Sequence, residues 1–191
     1  MQVADYTRMS EEDYLALEAR SPTRHEYVDG NVYAMTGASL RHNVIAGNIF
    51  ALLRAHLRGT PCCAFVSDAK LRVAKARAYY YPDVMVTCDP RHQSVGPADA
   101  VVEAPRVVIE VLSVATEGTD RREKLLAYKS LPSLEEYVLV GQDDARIEIH
   151  RRRGDIGWEI VTLVPGDPVE LRSLEFTTDF SAIYEEAGLD L

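Results

Sequence analysis

Apolar positions along the chain follow two rhythms, and the switch between them outlines the fold. Across 39–57, Val44, Ile45, Ile49, Leu52, Leu53 and Leu57 recur at helical spacing and Gly59 closes the run, which predicts a long amphipathic helix. The period then shortens to two. Cys63, Phe65 and Ser67, followed by Leu71 and Val73, predict one strand, and 79–88 predicts a second with Pro82 near its start. A third is predicted over 106–112, where Val107, Val108, Ile109, Val111 and Leu112 leave almost no polar face, as in a strand covered on both sides.

Caps and turns set the remaining elements. Ser10 before Glu11, Glu12 and Asp13 predicts a helix start, because a hydroxyl cap and acids suit the positive end of the dipole; Ser21-Pro22 ends it. Asp29-Gly30-Asn31 between Tyr27-Val28 and Val32-Tyr33 predicts a hairpin over 25–35. Thr119 or Asp120 is read as the cap of a helix over 121–131, with Leu125, Leu126 and Tyr128 inward and Pro132 beyond its end. A polar loop at 92–99 precedes the third strand. A fourth strand at 136–140, a hairpin pairing 146–151 with 158–163, and a short amphipathic helix at 180–187 complete the reading. Helices and strands in this order predict an α/β fold, a mixed sheet with helices packed on it. No repeat or long linker divides the chain, so 1–191 is read as a single domain.

Composition narrows the class. The 191 residues are 47% hydrophobic and 27% charged, as in an ordinary globular protein. No apolar run reaches 18 residues, so no membrane span is expected, and residues 1–8 lack the layout of a signal peptide; together these suggest the cytoplasm. Cys62, Cys63 and Cys88 include no CxxC and are odd in number, so they are read as reduced core residues rather than a zinc site or disulfide. The net charge of -9 argues against a general nucleic-acid binder. The charge is uneven, however. Residues 1–78 carry ten Lys/Arg against eight Asp/Glu, which leaves room for a basic groove around Arg41, Arg54, Arg58, Lys70, Arg72, Lys75 and Arg77.

One residue breaks the apolar third strand: Glu110. A carboxylate there costs several kcal/mol unless it is paired or bound to a metal, so it is an ion-pair partner, a structural contact or a metal ligand. Asp83, after Pro82 at the head of the neighbouring predicted strand, can join it. Two carboxylates on adjacent strands suit one hard divalent cation, which takes the rest of its shell from water and phosphate. An amine nearby, Lys124 in the next helix or Lys70 on the first strand, can assist the attacking water or offset charge on phosphate.

The ordered set Tyr80-Tyr81-Pro82-Asp83-Val84, Val108-Ile109-Glu110-Val111-Leu112-Ser113 and Asp120-Arg121-Arg122-Glu123-Lys124 with Tyr128 resembles the PD-(D/E)XK nucleases. It is more closely similar to the bacterial endonucleases of the Uma-two family, also called domain-of-unknown-function family 820. The likeness extends to His25-Glu26-Tyr27-Val28-Asp29-Gly30, Arg41-His42-Asn43, Ser67-Asp68-Ala69-Lys70 and Ser133-Leu134-Glu135-Glu136-Tyr137, nearly the whole chain. The resemblance implies a restriction-endonuclease-like core, αβββαβ over about 39–141, with an added N-terminal helix and hairpin and a C-terminal hairpin. It implies that Asp83 and Glu110 bind Mg²⁺, with Mn²⁺ as a substitute, in a DNA endonuclease. The superfamily lysine falls at position 112, where Leu112 stands, and Lys124 is the matching residue in this branch. Glu26 resembles an early acidic residue that some members bring to the metal; otherwise it is a hairpin surface carboxylate. His42 and Lys70 are accessory candidates. A homodimer fits the class because two-fold pairing addresses two strands. The alternative is a catalytically inactive nuclease-fold module for binding or assembly, which the acidic balance and Leu112 favour.

Overall fold

The computed structural model describes residues 8–35, 37–92, 96, 101–113 and 117–191. The core begins with helix α2 (Leu40–His56), capped by the Ser39 side chain, which accepts from His42 N, as the spacing predicts. Upstream, α1 (Glu11–Glu18) is capped by Ser10, and β1 (His25–Val28) and β2 (Asn31–Ala34) form the predicted hairpin. Asp29 and Gly30 both take positive φ, which explains the Asp-Gly pair in a two-residue turn.

The first two predicted strands are each divided between two sheets. Cys63–Val66 is β3 and Lys70–Val73 is β4, separated by a turn at Asp68, where φ is 80°. Ala78–Tyr80 is β5 and Val84–Thr87 is β6, separated at Tyr81-Pro82-Asp83. Val101–Val102 adds the short β7, Val107–Leu112 is β8, and Glu136–Gly141 is β9. Period-two patterning detects extended chain but does not report that a chain changes sheet halfway. Most of the loop predicted at 92–99, and nearly all of the chain start read at 1–8, lie outside the described residues.

The larger sheet has the order β11-β10-β9-β8-β6-β3, with β10 (Ile147–Arg152) and β11 (Trp158–Leu163) forming the predicted hairpin. Only β8 and β9 run parallel within it, joined by helix α3 over 117–129. Taking the strands of this sheet in chain order with α2 and α3 reproduces the expected αβββαβ core. The smaller sheet, β2-β1-β5-β4-β7, packs against it. A further hairpin, β12 (Pro168–Leu171) with β13 (Phe176–Asp179), escaped the sequence pattern, and the tail helix is a single turn, α4 (Phe180–Ile183).

Residues alternate strictly along β8. Val107, Ile109 and Val111 enter one core with Ile45, Ile49 and Leu53 of α2 and with the tail. Val108 and Leu112 enter the other, with Tyr80 of the smaller sheet and Tyr128 of α3. Glu110 shares the parity of this second face, so the fold directs its carboxylate between the two sheets and α3.

Helix α3 departs from expectation. It starts at Glu117, and Asp120–Lys124 forms a π turn before the α-helix resumes at Leu125. Asp120 is therefore inside the helix and buried, not its cap. Leu126 faces outward, 74% exposed, because positions two apart on a helix lie on opposite sides and Tyr128 takes the inward one.

The cysteine reading is also corrected. Cys62 and Cys88 form a disulfide, leaving Cys63 free. The β3–β6 register pairs Cys63 with Thr87, and one step further sets Cys62 opposite Cys88. Sequence spacing could not reveal this pairing of residues 26 apart. Among the described residues no helix is long and apolar enough to cross a membrane.

Gly141 ends β9 beside Leu112, where a Cβ would collide with the backbone oxygen of Asp144. Gly141→Ala should lower unfolding free energy by about 1–3 kcal/mol in denaturant titration, the range for an overpacked site. A variant as stable as the parent would show that this turn gives way freely.

Candidate active site

Continuing the β6–β8 register from Val84–Ile109 by one step places Asp83 across from Glu110. The ladder does not continue as backbone pairing. The Asp83 backbone carbonyl accepts Ser67 N–H at 3.2 Å, and its carboxylate Oδ2 accepts Val111 N–H at 2.7 Å. The same oxygen lies 3.2 Å from His42 Nε2, which helix α2 brings in from its first turn. Asp83 is thus fixed at the head of β6 by β8 on one side and α2 on the other.

Glu110 Oε1 accepts from the Tyr128 hydroxyl at 2.9 Å and from Lys124 Nζ at 3.3 Å. Lys124 Nζ also lies 3.0 Å from Glu26 Oε1 and 3.1 Å from Asp120 Oδ1. Asp120 and Lys124 are four residues apart on the π turn, a geometry that recurs at functional sites. Glu26 arrives from β1, adjacent to Tyr27, which pairs with Tyr79 of β5. Exposure falls inward: Glu26, Asp83 and His42 side chains keep 17%, 15% and 14%, while Lys124 keeps 7%, Glu110 4% and Asp120 2%.

Burial pushes the Glu110 carboxyl well above the usual range; Lys124 opposes this, and Asp120, Asp83 and Glu26 reinforce it. Burial pulls the Lys124 amine down, but Glu110, Glu26 and Asp120 together drive it well above the ordinary lysine value, so it stays protonated. Burial likewise lowers His42, yet the Asp83 carboxylate and the Val111 backbone carry it above the usual histidine value.

The structure therefore brings Asp83, Glu110, Lys124, Glu26 and His42 together. It places Lys70 elsewhere. Lys70 does not lie beside Asp83 in one sheet, as its predicted strand implied, but on β4 of the smaller sheet. Its Nζ packs among the rings of Tyr14, Tyr81 and Tyr79 at 5.2, 5.8 and 6.0 Å, with Glu18 as its nearest acidic influence. Two further residues join the site. Tyr128, inward by periodicity, donates its hydroxyl hydrogen to Glu110. Asp120, a candidate cap by sequence, contacts the ammonium, and its spacing of four from Lys124 is the sequence signal for that contact.

Three arginines of the basic groove are already engaged. Arg41 pairs with Asp143, Arg72 with Glu11 and Glu103, and Arg77 with Asp29. In the run Arg151-Arg152-Arg153, Arg151 holds buried Glu136, and Arg152 donates to the carbonyls of Lys129, Leu131 and Leu134.

The donor set suits a hard divalent cation, because every candidate ligand is a carboxylate and negative charge exceeds positive. Among the described residues, no three or more His, Cys, Asp or Glu side chains are arranged to hold a metal. An Mg²⁺ ion needs only one or two carboxylates with waters, so Asp83 and Glu110 suffice as a pair.

Fold and site together define a restriction-endonuclease-like α/β protein. The profile of the Uma2 family, described as "Putative restriction endonuclease", matches residues 11–182, and the chain belongs to this family. It is 36% identical over 181 residues to the uncharacterized protein slr1290 of Synechocystis sp., covering 95% of this chain and 94% of that one. A second Synechocystis protein, sll1609, is 31% identical over 171 residues, covering 90% and 96%. The fold matches the crystal structure of a "putative nuclease belonging to DUF820" from Anabaena variabilis, with a TM-score of 0.74 at 16% identity, covering 91% of this chain and 96% of that one.

The contact between His42 and Asp83 has a pH signature. A histidine whose pKa rises on folding adds stability that is full below its unfolded pKa, about 6.5, and lost as pH rises through the folded value. In metal-free protein, the His42 ring should titrate above about 6.5 by NMR, and Asp83→Asn should lower its midpoint. An identical midpoint in the variant would refute the pairing.

Proposed function

We propose that the protein is a Mg²⁺-dependent endonuclease that hydrolyses DNA phosphodiester bonds. The observation that carries this reading is the opposition of Asp83 and Glu110 on neighbouring strands, with the Lys124 ammonium 3.3 Å from Glu110. Membership in a family described as "Putative restriction endonuclease" supports it.

In this reading Asp83 and Glu110 hold the cation. When bound, the cation supplies a more acidic water and neutralises charge on the scissile phosphate. His42 and Val111 N–H orient Asp83, while Tyr128 orients Glu110 by donating to Oε1. Lys124, kept protonated by three carboxylates, acts as a donor that stabilises phosphate charge rather than as a base. Glu26, the most exposed of the three carboxylates around the amine, faces the solvent side, where it can orient the attacking water. A homodimer would let two such sites address both strands.

A second reading is favoured by a specific observation: the net charge is -9, and Arg41, Arg72 and Arg77 are already paired. It is a nuclease-fold module that binds or assembles without cutting.

Glu110→Ala and Asp83→Ala should each lower cleavage of duplex DNA with Mg²⁺ at least about 100-fold, the scale for losing an electrostatic element of the site. Both variants should keep the parent circular dichroism spectrum. Equal cleavage by Glu110→Ala would remove the site assignment. Absence of cleavage and of calorimetric Mg²⁺ or Mn²⁺ binding in the parent would favour the non-catalytic module. Faster cutting of matched RNA would move the substrate from DNA to RNA.

A further inference from the structure

Glu26 leads outward from Lys124 toward solvent. In the β1–β2 hairpin it stands directly across from Tyr33, and directly opposed residues of an antiparallel pair share one face, with Cβ atoms about 5 Å apart. The alternation of the hairpin identifies that face. Tyr27 and Val32, the next opposed pair, pack with Tyr14 of α1 and Tyr79 of β5. Val28, of the same parity as Glu26, packs against the core that holds Val108 and Leu112 of β8. Tyr33 is therefore on the side of Glu26, Lys124 and Glu110, and not on the side of α1.

Exposure rises along this line. The side chains of Glu110, Lys124 and Glu26 keep 4%, 7% and 17%, and Tyr33 is 53% exposed. Strand β2 is the edge of the smaller sheet, so no further strand of that sheet lies beyond the ring. Among the described residues every other tyrosine is buried, and no Phe or Trp is exposed. There the Tyr33 side chain also makes no hydrogen bond, ion pair or ring contact. Single exposed apolar residues are ordinary on a surface. An exposed ring directly across from a carboxylate of the cluster, in a chain that buries its other rings, is placed to meet whatever enters the site.

The chemistry of that partner follows from what the surface lacks. A duplex held by its phosphates needs basic side chains, but the net charge is -9 and Arg41, Arg72 and Arg77 are paired with acids. A flat ring attracts a base through its face, without net charge and with little regard to which base it is. Inside a duplex both faces of a base are covered by its neighbours. Only an unpaired base, or one turned out of the helix, presents a face to Tyr33.

We infer that Tyr33 stacks on an unpaired base beside the scissile phosphate, so that the site prefers DNA with a single-stranded nucleotide at the cut over fully paired duplex. The inference rests on the reading of the Asp83–Glu110 centre as a DNA site. The stacking itself does not depend on cutting, which lets the two be tested apart.

The test uses the full chain and one labelled DNA sequence, either single-stranded or annealed to its complement. Binding is followed by fluorescence anisotropy with Ca²⁺ in place of Mg²⁺, and cleavage is followed separately with Mg²⁺. The parent should bind the single strand more tightly than the duplex. Tyr33→Ala should weaken single-strand binding about 10-fold, the scale of one base removed from an aromatic ring, and Tyr33→Phe and Tyr33→Trp should retain it. In cleavage of the single strand, Tyr33→Ala should raise KM about 10-fold with kcat changed less than about 2-fold, the pattern of lost uniform binding. Circular dichroism should match the parent in all three variants, because the side chain is exposed. A parent that prefers duplex, a Tyr33→Ala variant that binds single strands as the parent does, or a Tyr33→Phe variant as weak as Tyr33→Ala would overturn the inference. Single-strand cleavage by the parent with the same KM in Tyr33→Ala also overturns it, and leaves the nuclease reading standing. Single-strand binding that depends on Tyr33 in a parent that cuts nothing supports the stacking and removes the nuclease reading.

Discussion

A carboxylate in the middle of an apolar central strand governs this protein. Glu110 cannot return to water without pulling β8 out of the sheet, and it cannot stay charged alone between two hydrophobic layers. Everything around it answers that constraint. Tyr128 and Lys124 come from the helix that follows β8, Glu26 from the smaller sheet, and Asp83 from the strand alongside. The buried ion pair is poor evidence of stability, since a well-packed apolar substitute often serves as well. Its retention beside Glu26, Asp83 and His42 is what supports reading this cluster as a site.

The two-sheet arrangement gives the site its walls. Strands β3 and β6 stay in the larger sheet while β4 and β5 leave it, so the chain crosses between sheets at Asp68 and again at Tyr81-Pro82-Asp83. Pro82 offers no N–H to a ladder, which suits a crossing point. Asp83 therefore stands immediately before the returning strand, and its side chain accepts the Val111 N–H at a place where the backbone ladder stops. The crossing that divides the strand also fixes the carboxylate.

Charge sets how such a site meets a polyanion. On the nuclease reading, the acidic total and the paired arginines would make attraction for phosphate local rather than global. Lys124 is buried among acids and faces the carboxylate cluster rather than the surface. Lys70, the rival amine, is enclosed by tyrosine rings on the opposite face of the smaller sheet and supports α1 there.

The chain's own letters determined a good deal. The cap at Ser10, the long helix from Ser39, the Asp-Gly hairpin, the apolar β8 and the β10–β11 hairpin were legible because each depends on local geometry or on periodicity. The pair Asp83 and Glu110 was legible because a charge in an apolar strand, beside a Pro-Asp head, is chemically conspicuous. Tertiary structure alone decided the rest. Whether 63–73 and 79–88 stay in one sheet, whether Cys62 meets Cys88, and whether Lys70 or Lys124 reaches Glu110 all depend on strand pairing and register. The π turn that turns Asp120 inward is likewise invisible to a helical period that assumes 3.6 residues per turn. Pairing partners lie far apart in sequence, and no local preference specifies which strand a given strand will meet.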